Sequence, residues 1–214
     1  MILMRTKTNP FVSISDLMAG VTAVIMLLLV VMFVRMSVME AQAELKRKQG
    51  VSHAIEEIRE SMGTSSQNVI VTDSVITLSD AAFERGSACL NESIEESLKQ
   101  KIAPILAQKM LEYPNILVQI EGHTDTLPVR SISTNIKLKC ALFDDNYSLS
   151  AGRAREARKA ILAAVENDEK ISHRIAVVGF GPDRLKDASD PEGSINRRVE
   201  IRLIARNNGS EDVQ

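Results

Sequence analysis

The chain has 214 residues and a net charge of -2, with 26 Lys and Arg against 28 Asp and Glu. That length holds one membrane helix plus one globular domain of ordinary size, and a charge so near balance gives no basis for nucleic acid as a partner. There is no Trp and there are only two Tyr, too few aromatics for a platform that stacks single-stranded bases.

Charge is unevenly spread. Leu17 to Val34 is an uncharged run of 18 residues, all apolar or small apart from Thr22, and a run of that length is a candidate membrane helix. Counted from Phe11 to Val34 at about 1.5 Å per residue, it reaches roughly 36 Å, enough to cross a hydrocarbon core of about 30 Å with some tilt. Pro10 suits a first helical residue, where its missing N–H costs nothing. A cleaved secretory signal is the alternative, with Arg5 and Lys7 as its basic start and Ala41-Gln42-Ala43 as its cleavage pattern. Against it, the apolar run exceeds the usual ~7–15 residues, Asp16 interrupts its start, and Arg35 and Glu40 separate it from Ala41. The expectation is a short N-terminal stretch over 1–10 and a retained span over 11–35. Basic residues do not orient that span: Arg5 and Lys7 precede it, while Arg35, Lys46, Arg47 and Lys48 follow, so the positive-inside count does not favour a cytoplasmic N-terminus.

Beyond the span, apolar residues recur at Met36, Met39, Ala43, Val51, Ile55, Ile58 and Met62, mostly three or four apart, which predicts an amphipathic helical linker over 36–66. Gly50 is a candidate break. Two such helices side by side would form a short coiled coil and a dimer; one helix lying against its own domain is the alternative. Met62 to Gln67 has loop composition. Val69-Ile70-Val71 and Val75-Ile76-Thr77-Leu78 read as two short strands or one bent strand.

Asn91 to Leu111 carries a helical face of Ile94, Leu98, Ile102, Ile105, Leu106 and Met110. Ile116 to Ile120 is a strand. Ser150 to Val165 is a second helix, capped at Ser148 or Ser150. Ile175 to Val178 and Arg198 to Ile204 are strands. This order predicts an α+β domain over 67–206, a small sandwich with helices on one face of a mixed sheet. The polar tail from Asn207 is expected to be disordered.

The two cysteines, Cys89 and Cys140, both fall in this domain. They are disulfide candidates if the domain lies outside the cytoplasm and free thiols otherwise. The three His, at 53, 123 and 173, are scattered, and no metal-ligand spacing joins them to a Cys, so neither a metal nor a cofactor is expected. No nucleophile–base pair and no carboxylate pair points to an enzyme.

Five segments follow one another in a recognisable order: Phe83-Glu84-Arg85-Gly86-Ser87-Ala88, Glu121-Gly122-His123-Thr124-Asp125, Asn146 to Ser150 with Arg153-Ala154, Val178-Gly179-Phe180-Gly181, and Asn196-Arg197-Arg198-Val199-Glu200-Ile201. Together they resemble the OmpA-like domain shared by outer-membrane protein A and flagellar stator proteins of the MotB type. The resemblance covers about Val69 to Ile204. It implies an OmpA-like sandwich that binds the peptidoglycan stem peptide, with Asp125 and Arg153 on its diaminopimelate residue, Thr124 and Asn146 adding neutral hydrogen bonds, and Arg198 helping to line the site. The chemistry is coherent: diaminopimelate offers an ammonium for an Asp and a carboxylate for an Arg fork. His123 is expected to be a structural hydrogen-bonder. Between Asp125 and Asn146 lie twenty residues, Thr126 to Asp145, more than in outer-membrane protein A. Peptidoglycan as ligand implies a periplasmic domain, a cytoplasmic N-terminus and an inner-membrane span, and makes a Cys89–Cys140 disulfide more credible.

Asp16 lies just inside the apolar run. A carboxylate in a span costs about 2.5–3.5 kcal/mol at the centre and tends to mark an ion path, although this one could be a solvated group favouring the positive end of the helix. MotB-type B-subunits carry one Asp at this place, and Asp16-Leu17-Met18 is similar to their "D-x-M". The resemblance then implies an ion-translocating Asp16, proton or sodium as the ion, a homodimer, and a MotA/ZorA-like multi-span partner with five copies around two. The short N-terminus and short linker depart from flagellar subunits, while the Asp16-Leu17-Met18-Ala19-Gly20 span and the Cys-bearing domain resemble the B-subunits of Zorya anti-phage systems (the ZorB type). A flagellar stator subunit and a passive wall anchor without ion flow are the alternatives.

Overall fold

The computed structural model describes residues 10–63, 68–84, 87–130, 140, 143–166 and 168–206. The expectations for 1–9 and for the tail from Asn207, along with Arg85, Gly86 and most of the stretch between Asp125 and Asn146, lie outside these residues. The chain divides into two compact units, Met1–Lys46 and Arg47–Gln214.

Helix α1 spans Pro10–Met62. In the first unit its apolar side chains from Ile14 onward stand uncovered by the rest of the chain, and the helix is long and apolar enough to cross a membrane. A helix hydrophobic all round belongs in lipid or against other subunits. The Thr22 hydroxyl donates to the carbonyls of Met18 and Ala19, at 3.0 and 2.9 Å, so this polar group is satisfied by its own helix.

The second unit contains the last four turns of α1. Val51, Ala54, Ile55, Ile58 and Met62 are buried in the domain core, so this part of the apolar stripe is covered by the chain's own domain. The helix does not break at Gly50: a Cβ there would meet the Tyr113 ring at 2.8 Å. That glycine admits an aromatic ring against the helix backbone, which propensity alone does not reveal.

Strands β1 (Val69–Val71) and β2 (Val75–Ser79) form a hairpin, so the bent-strand alternative falls away. A 3₁₀ turn, Asp80–Ala82, follows. Helices α2 (Glu92–Ser97) and α3 (Ala103–Glu112) are joined by a π turn, Leu98–Ile102. Then come β3 (Ile116–His123), α4 (Asn146–Ala163), the short α5 (Glu169–Ser172), β4 (Ile175–Gly179) and β5 (Arg198–Ala205). The sheet order is β1-β2-β5-β3-β4. All neighbours are antiparallel except β3 and β4, which are parallel and joined through α4. This is the expected α+β sandwich on a mixed sheet.

Alternation sorts the central strands into two faces. Val118, Ile120, Val199, Ile201, Leu203, Ile76 and Leu78 point into the core with α1, α3 and α4. Thr77, Glu121, His123, Arg198 and Glu200 are buried on the other face.

Helix α4 begins four residues before the expected Ser150. Its N-cap is Asp145, whose carboxylate accepts from the Ser148 N–H at 2.7 Å, while the Ser148 hydroxyl accepts from the Asp145 N–H at 3.0 Å. The serine expected as a cap is the returning half of a capping box. A Cβ on Gly122 would lie 1.9 Å from the Ser150 carbonyl oxygen, so β3 and α4 touch backbone to backbone. That contact sets the exit of β3 beside the first turns of α4.

Cys89 and Cys140 form a disulfide with a Cα–Cα distance of 5.1 Å across 51 residues of sequence, which settles the free-thiol alternative. Closing a loop of that length removes about 4 kcal/mol of chain entropy from the unfolded state. Urea unfolding of the domain should show a loss of that order in a Cys89→Ser, Cys140→Ser variant. A loss below ~0.5 kcal/mol would mean that the bridge adds no stability.

Candidate functional site

The pocket at the exit of β3 begins with charge. Asp80 opens the turn after β2, Asp125 ends the β3 motif, Arg153 projects from α4, and Arg197 precedes β5. They form a chain of alternating sign. The Arg153 Nη1 donates to Asp80 Oδ1 at 3.2 Å, Arg197 Nε donates to Asp80 Oδ2 at 2.9 Å, and Arg197 Nη1 donates to Asp125 Oδ2 at 2.6 Å.

Arg153 is only 4% exposed. Its Nε donates to the Ser87 carbonyl at 3.2 Å, and its guanidinium lies 5.0 Å from the Phe83 ring centre. Burial lowers its pKa from the ordinary arginine value, opposed by Asp80. Burial acts the same way on Arg197, but the hydrogen bonds it donates to Asp125 and Asp80 outweigh it and hold its pKa above the ordinary value. Two buried or half-buried guanidiniums are tolerable here because two carboxylates neutralise them.

The cavity beside these groups has a volume of about 460 Å³; Thr124, Asn146, Leu127, Val129, Phe143 and Leu149 are among its other lining residues. Thr124 is 2% exposed, and its hydroxyl has no hydrogen-bond partner among the described residues. A buried unpaired hydroxyl costs about 1–3 kcal/mol, and a ligand hydrogen bond would recover it.

The structure thus brings Asp125, Arg153, Thr124 and Asn146 together. Asn146 also shapes the backbone, because its Nδ2 donates to the carbonyls of Leu127, at 2.8 Å, and Asp125, at 3.3 Å, which fixes the chain leaving β3.

Arg198 does not line this pocket. It lies on the other face of β5, where its Nε donates to Glu200 Oε1 at 2.6 Å. The lining guanidinium is its neighbour Arg197, because adjacent residues entering a strand point to opposite sides. The alternation of Val199, Ile201 and Leu203 carried that signal. Asp80 is the other residue missed, since it stands before the first recognisable motif. Asn196 positions Arg197: fully buried, it accepts from the N–H groups of Lys186 and Asp187, both at 2.8 Å, and donates to the carbonyls of Asp187 and Asp190, at 3.0 and 2.8 Å.

On the opposite face, the ligand atoms of Glu121, His123 and Glu200 fall within 4.8 Å of one another, a spacing open to a metal. Arg202 reaches both glutamates and Arg198 binds Glu200. Two guanidiniums therefore balance two carboxylates, and the cluster is a charge-neutral ion-pair network with no surplus negative charge for a cation. His123 stacks on Phe180 with ring centres 5.5 Å apart, and neither ring nitrogen has a hydrogen-bond partner among the described residues. His123 therefore packs by stacking and not by the hydrogen bonding expected of it.

These features define an α+β sandwich with a charged pocket at one end of its sheet. The sequence model of the OmpA family matches residues 82–198, and the chain belongs to that family. It is 32% identical over 109 residues to the outer membrane protein Omp38 of Acinetobacter baumannii, a match over 50% of this chain and 26% of that protein. It is 28% identical over 124 residues to LafU of Escherichia coli O44:H18, which carries the name of a flagellar export/assembly protein, over 58% of this chain and 34% of that one. The chain thus spans about a quarter to a third of the length of these relatives. Among solved structures, the periplasmic domain of Helicobacter pylori MotB is similar with a TM-score of 0.45 and 19% identity, over 66% of this chain and 88% of that one. The cell wall anchor of the type VI secretion system from Pseudomonas aeruginosa is similar with a TM-score of 0.44 and 22% identity, over 73% and 97%.

Burial, followed by the nearby Arg198, pushes the His123 pKa down from 6.5 to about 4, against the pull of Glu200 and Glu121. The unfolded chain takes up this proton below pH 6.5 and the folded chain does not, so stability falls as pH drops from 6.5 towards 4, by up to roughly 3 kcal/mol. Urea unfolding between pH 7 and 5, above most carboxylate titration, should show this slope in the wild type and a flatter one in His123→Phe. Equal slopes would contradict the assignment.

Proposed function

We propose that this chain anchors a membrane complex to peptidoglycan, and that the complex is an ion-driven motor of the stator class. The pocket carries the anchoring reading. A zwitterionic amino-acid head, such as the free end of diaminopimelate, matches a site with carboxylates and guanidiniums in alternation and a spare hydroxyl. Its ammonium goes to Asp125 and its carboxylate to Arg153, with Thr124 supplying a neutral hydrogen bond. Family membership and the resemblance of the motifs support the same ligand. The site binds and has no part in bond cleavage.

The motor reading rests on Asp16. A wall anchor has no use for a carboxylate inside its span, whereas an ion path does. The N-terminus is then cytoplasmic, α1 crosses the inner membrane, and the domain is periplasmic. Two copies sit within a ring of five MotA/ZorA-like subunits. Asp16 takes up a proton or sodium ion; losing its charge changes how the helix packs in low dielectric, and that change turns the ring while the domain holds the wall. Within this class, the Asp16-Leu17-Met18-Ala19-Gly20 segment and the disulfide-bearing domain favour the ZorB-type subunit of Zorya anti-phage defence. The name carried by the LafU relative points instead to motility.

Co-sedimentation with purified sacculi tests the anchor. Asp125→Asn and Arg153→Gln should each weaken binding by about tenfold or more, the effect of one charged hydrogen bond, while Arg202→Gln, on the far face, should leave it intact. Equal binding by all three would sink the reading. The motor is tested by reconstituting the chain with its multi-span partner, including an activated form, and recording proton and sodium flux. Flux in the wild type that is abolished by Asp16→Asn is the expected result. No flux in any activated form, with sacculi still bound, leaves a passive anchor.

A further inference from the structure

Arg153 is held at its Nε by a carbonyl that belongs to no helix or strand, that of Ser87, 3.2 Å away. The loop bearing it is fixed locally. The Ser87 hydroxyl accepts from the Cys89 N–H at 3.0 Å, and the Glu84 N–H donates to the Cys89 carbonyl at 2.9 Å. Ala88 sits directly on α4, where a Cβ on Gly152 would lie 3.3 Å from the Ala88 Cβ. Ala88, Cys89 and Cys140 pack with Leu149 in a small cluster of their own, apart from the main core. The covalent tie within that cluster is the Cys89–Cys140 bridge. Cys140 stands at a φ of 59°, in the left-handed region that a residue with a Cβ adopts only when its surroundings hold it there.

Resting on the peptidoglycan reading, we infer that the Cys89–Cys140 bridge is a redox-sensitive positioning element for Arg153, so that a dithiol reductant weakens wall binding without unfolding the domain. The bridge holds Cys89, the Cys89 N–H holds the Ser87 hydroxyl, and the Ser87 carbonyl aims the guanidinium that Asp80 pairs at Nη1. Because this cluster is separate from the main core, cutting the bridge loosens the loop first. A reductant has its own approach. Cys140 lines a second cavity of about 240 Å³ with Leu90, Glu95, Lys99 and Glu156, and that cavity shares no lining residue with the ligand pocket. One thiolate of the reductant attacks the Cys140 sulfur, and the Cys89 sulfur leaves as a thiolate. The second thiol then displaces Cys140, and the reductant ends as a disulfide. Two electrons and two protons pass to the bridge, which becomes two thiols. Cys140 then relaxes from its left-handed conformation, and the Ser87 carbonyl no longer fixes Arg153.

The test uses the full chain in detergent and co-sedimentation with purified sacculi, before and after dithiothreitol, for the wild type and Arg153→Gln. Thiol titration confirms reduction, and far-UV circular dichroism reports the fold. Reduction should weaken wild-type binding about fivefold, the effect of one lost hydrogen bond, with the spectrum unchanged. In Arg153→Gln it should have no further effect, because the bridge acts through that side chain. Unchanged wild-type binding after reduction would overturn the inference and leave the peptidoglycan reading standing, as would an equal loss in Arg153→Gln. Unfolding on reduction would overturn it too, since the bridge would then be a general stabiliser. An oxidised wild type that does not bind sacculi would overturn both.

Discussion

A guanidinium sealed inside a protein must be neutralised, and Arg153 sets that requirement for the whole site. Asp80 meets it directly. Asp80 also holds Arg197, and Arg197 caps Asp125, so four residues from four separate segments become one electrostatic unit. The chain of ion pairs needs the turn after β2, the end of β3, the second turn of α4 and the start of β5 to converge. Backbone contact between Gly122 and Ser150 and the Asn196 clamp on the 186–190 loop bring this about.

Such a chain is internally paired, so a ligand does not meet bare charges; it exchanges one set of ion pairs for another. Specificity then comes from geometry, because a ligand that brings only an ammonium or only a carboxylate leaves one member of the chain unpaired and buried. A zwitterion on a short frame replaces both partners at once. Asp80 and Arg197, whose side chains are 33% and 29% exposed against 8% for Asp125 and 5% for Arg153, form the outer side of this set.

The sequence made the architecture readable and part of the site. Strand periodicity located β1 to β5, and five ordered motifs placed Asp125, Arg153, Thr124 and Asn146 in one pocket. Three features were not legible, for distinct physical reasons. Gly50 looked like a helix breaker because its role depends on Tyr113, 63 positions on, whose ring fills the space where a Cβ would be. Arg197 and Arg198 are the same residue type side by side, and only strand direction separates the pocket from the far face. Asp80 belongs to no motif, and its importance appears once Arg153 is seen to be buried. The disulfide was open from spacing alone and became determinate only when Cys89 and Cys140 were brought together across the insert.

The central claim is that the chain of ion pairs Arg153–Asp80–Arg197–Asp125 is the ligand site. The most direct measurement is a crystal structure of the domain with meso-diaminopimelate. The account predicts an ammonium within hydrogen-bond distance of Asp125, a carboxylate on Arg153, a new partner for the Thr124 hydroxyl, and Arg197 displaced from Asp125. Diaminopimelate bound elsewhere, or these ion pairs left unchanged at saturating ligand, would contradict it.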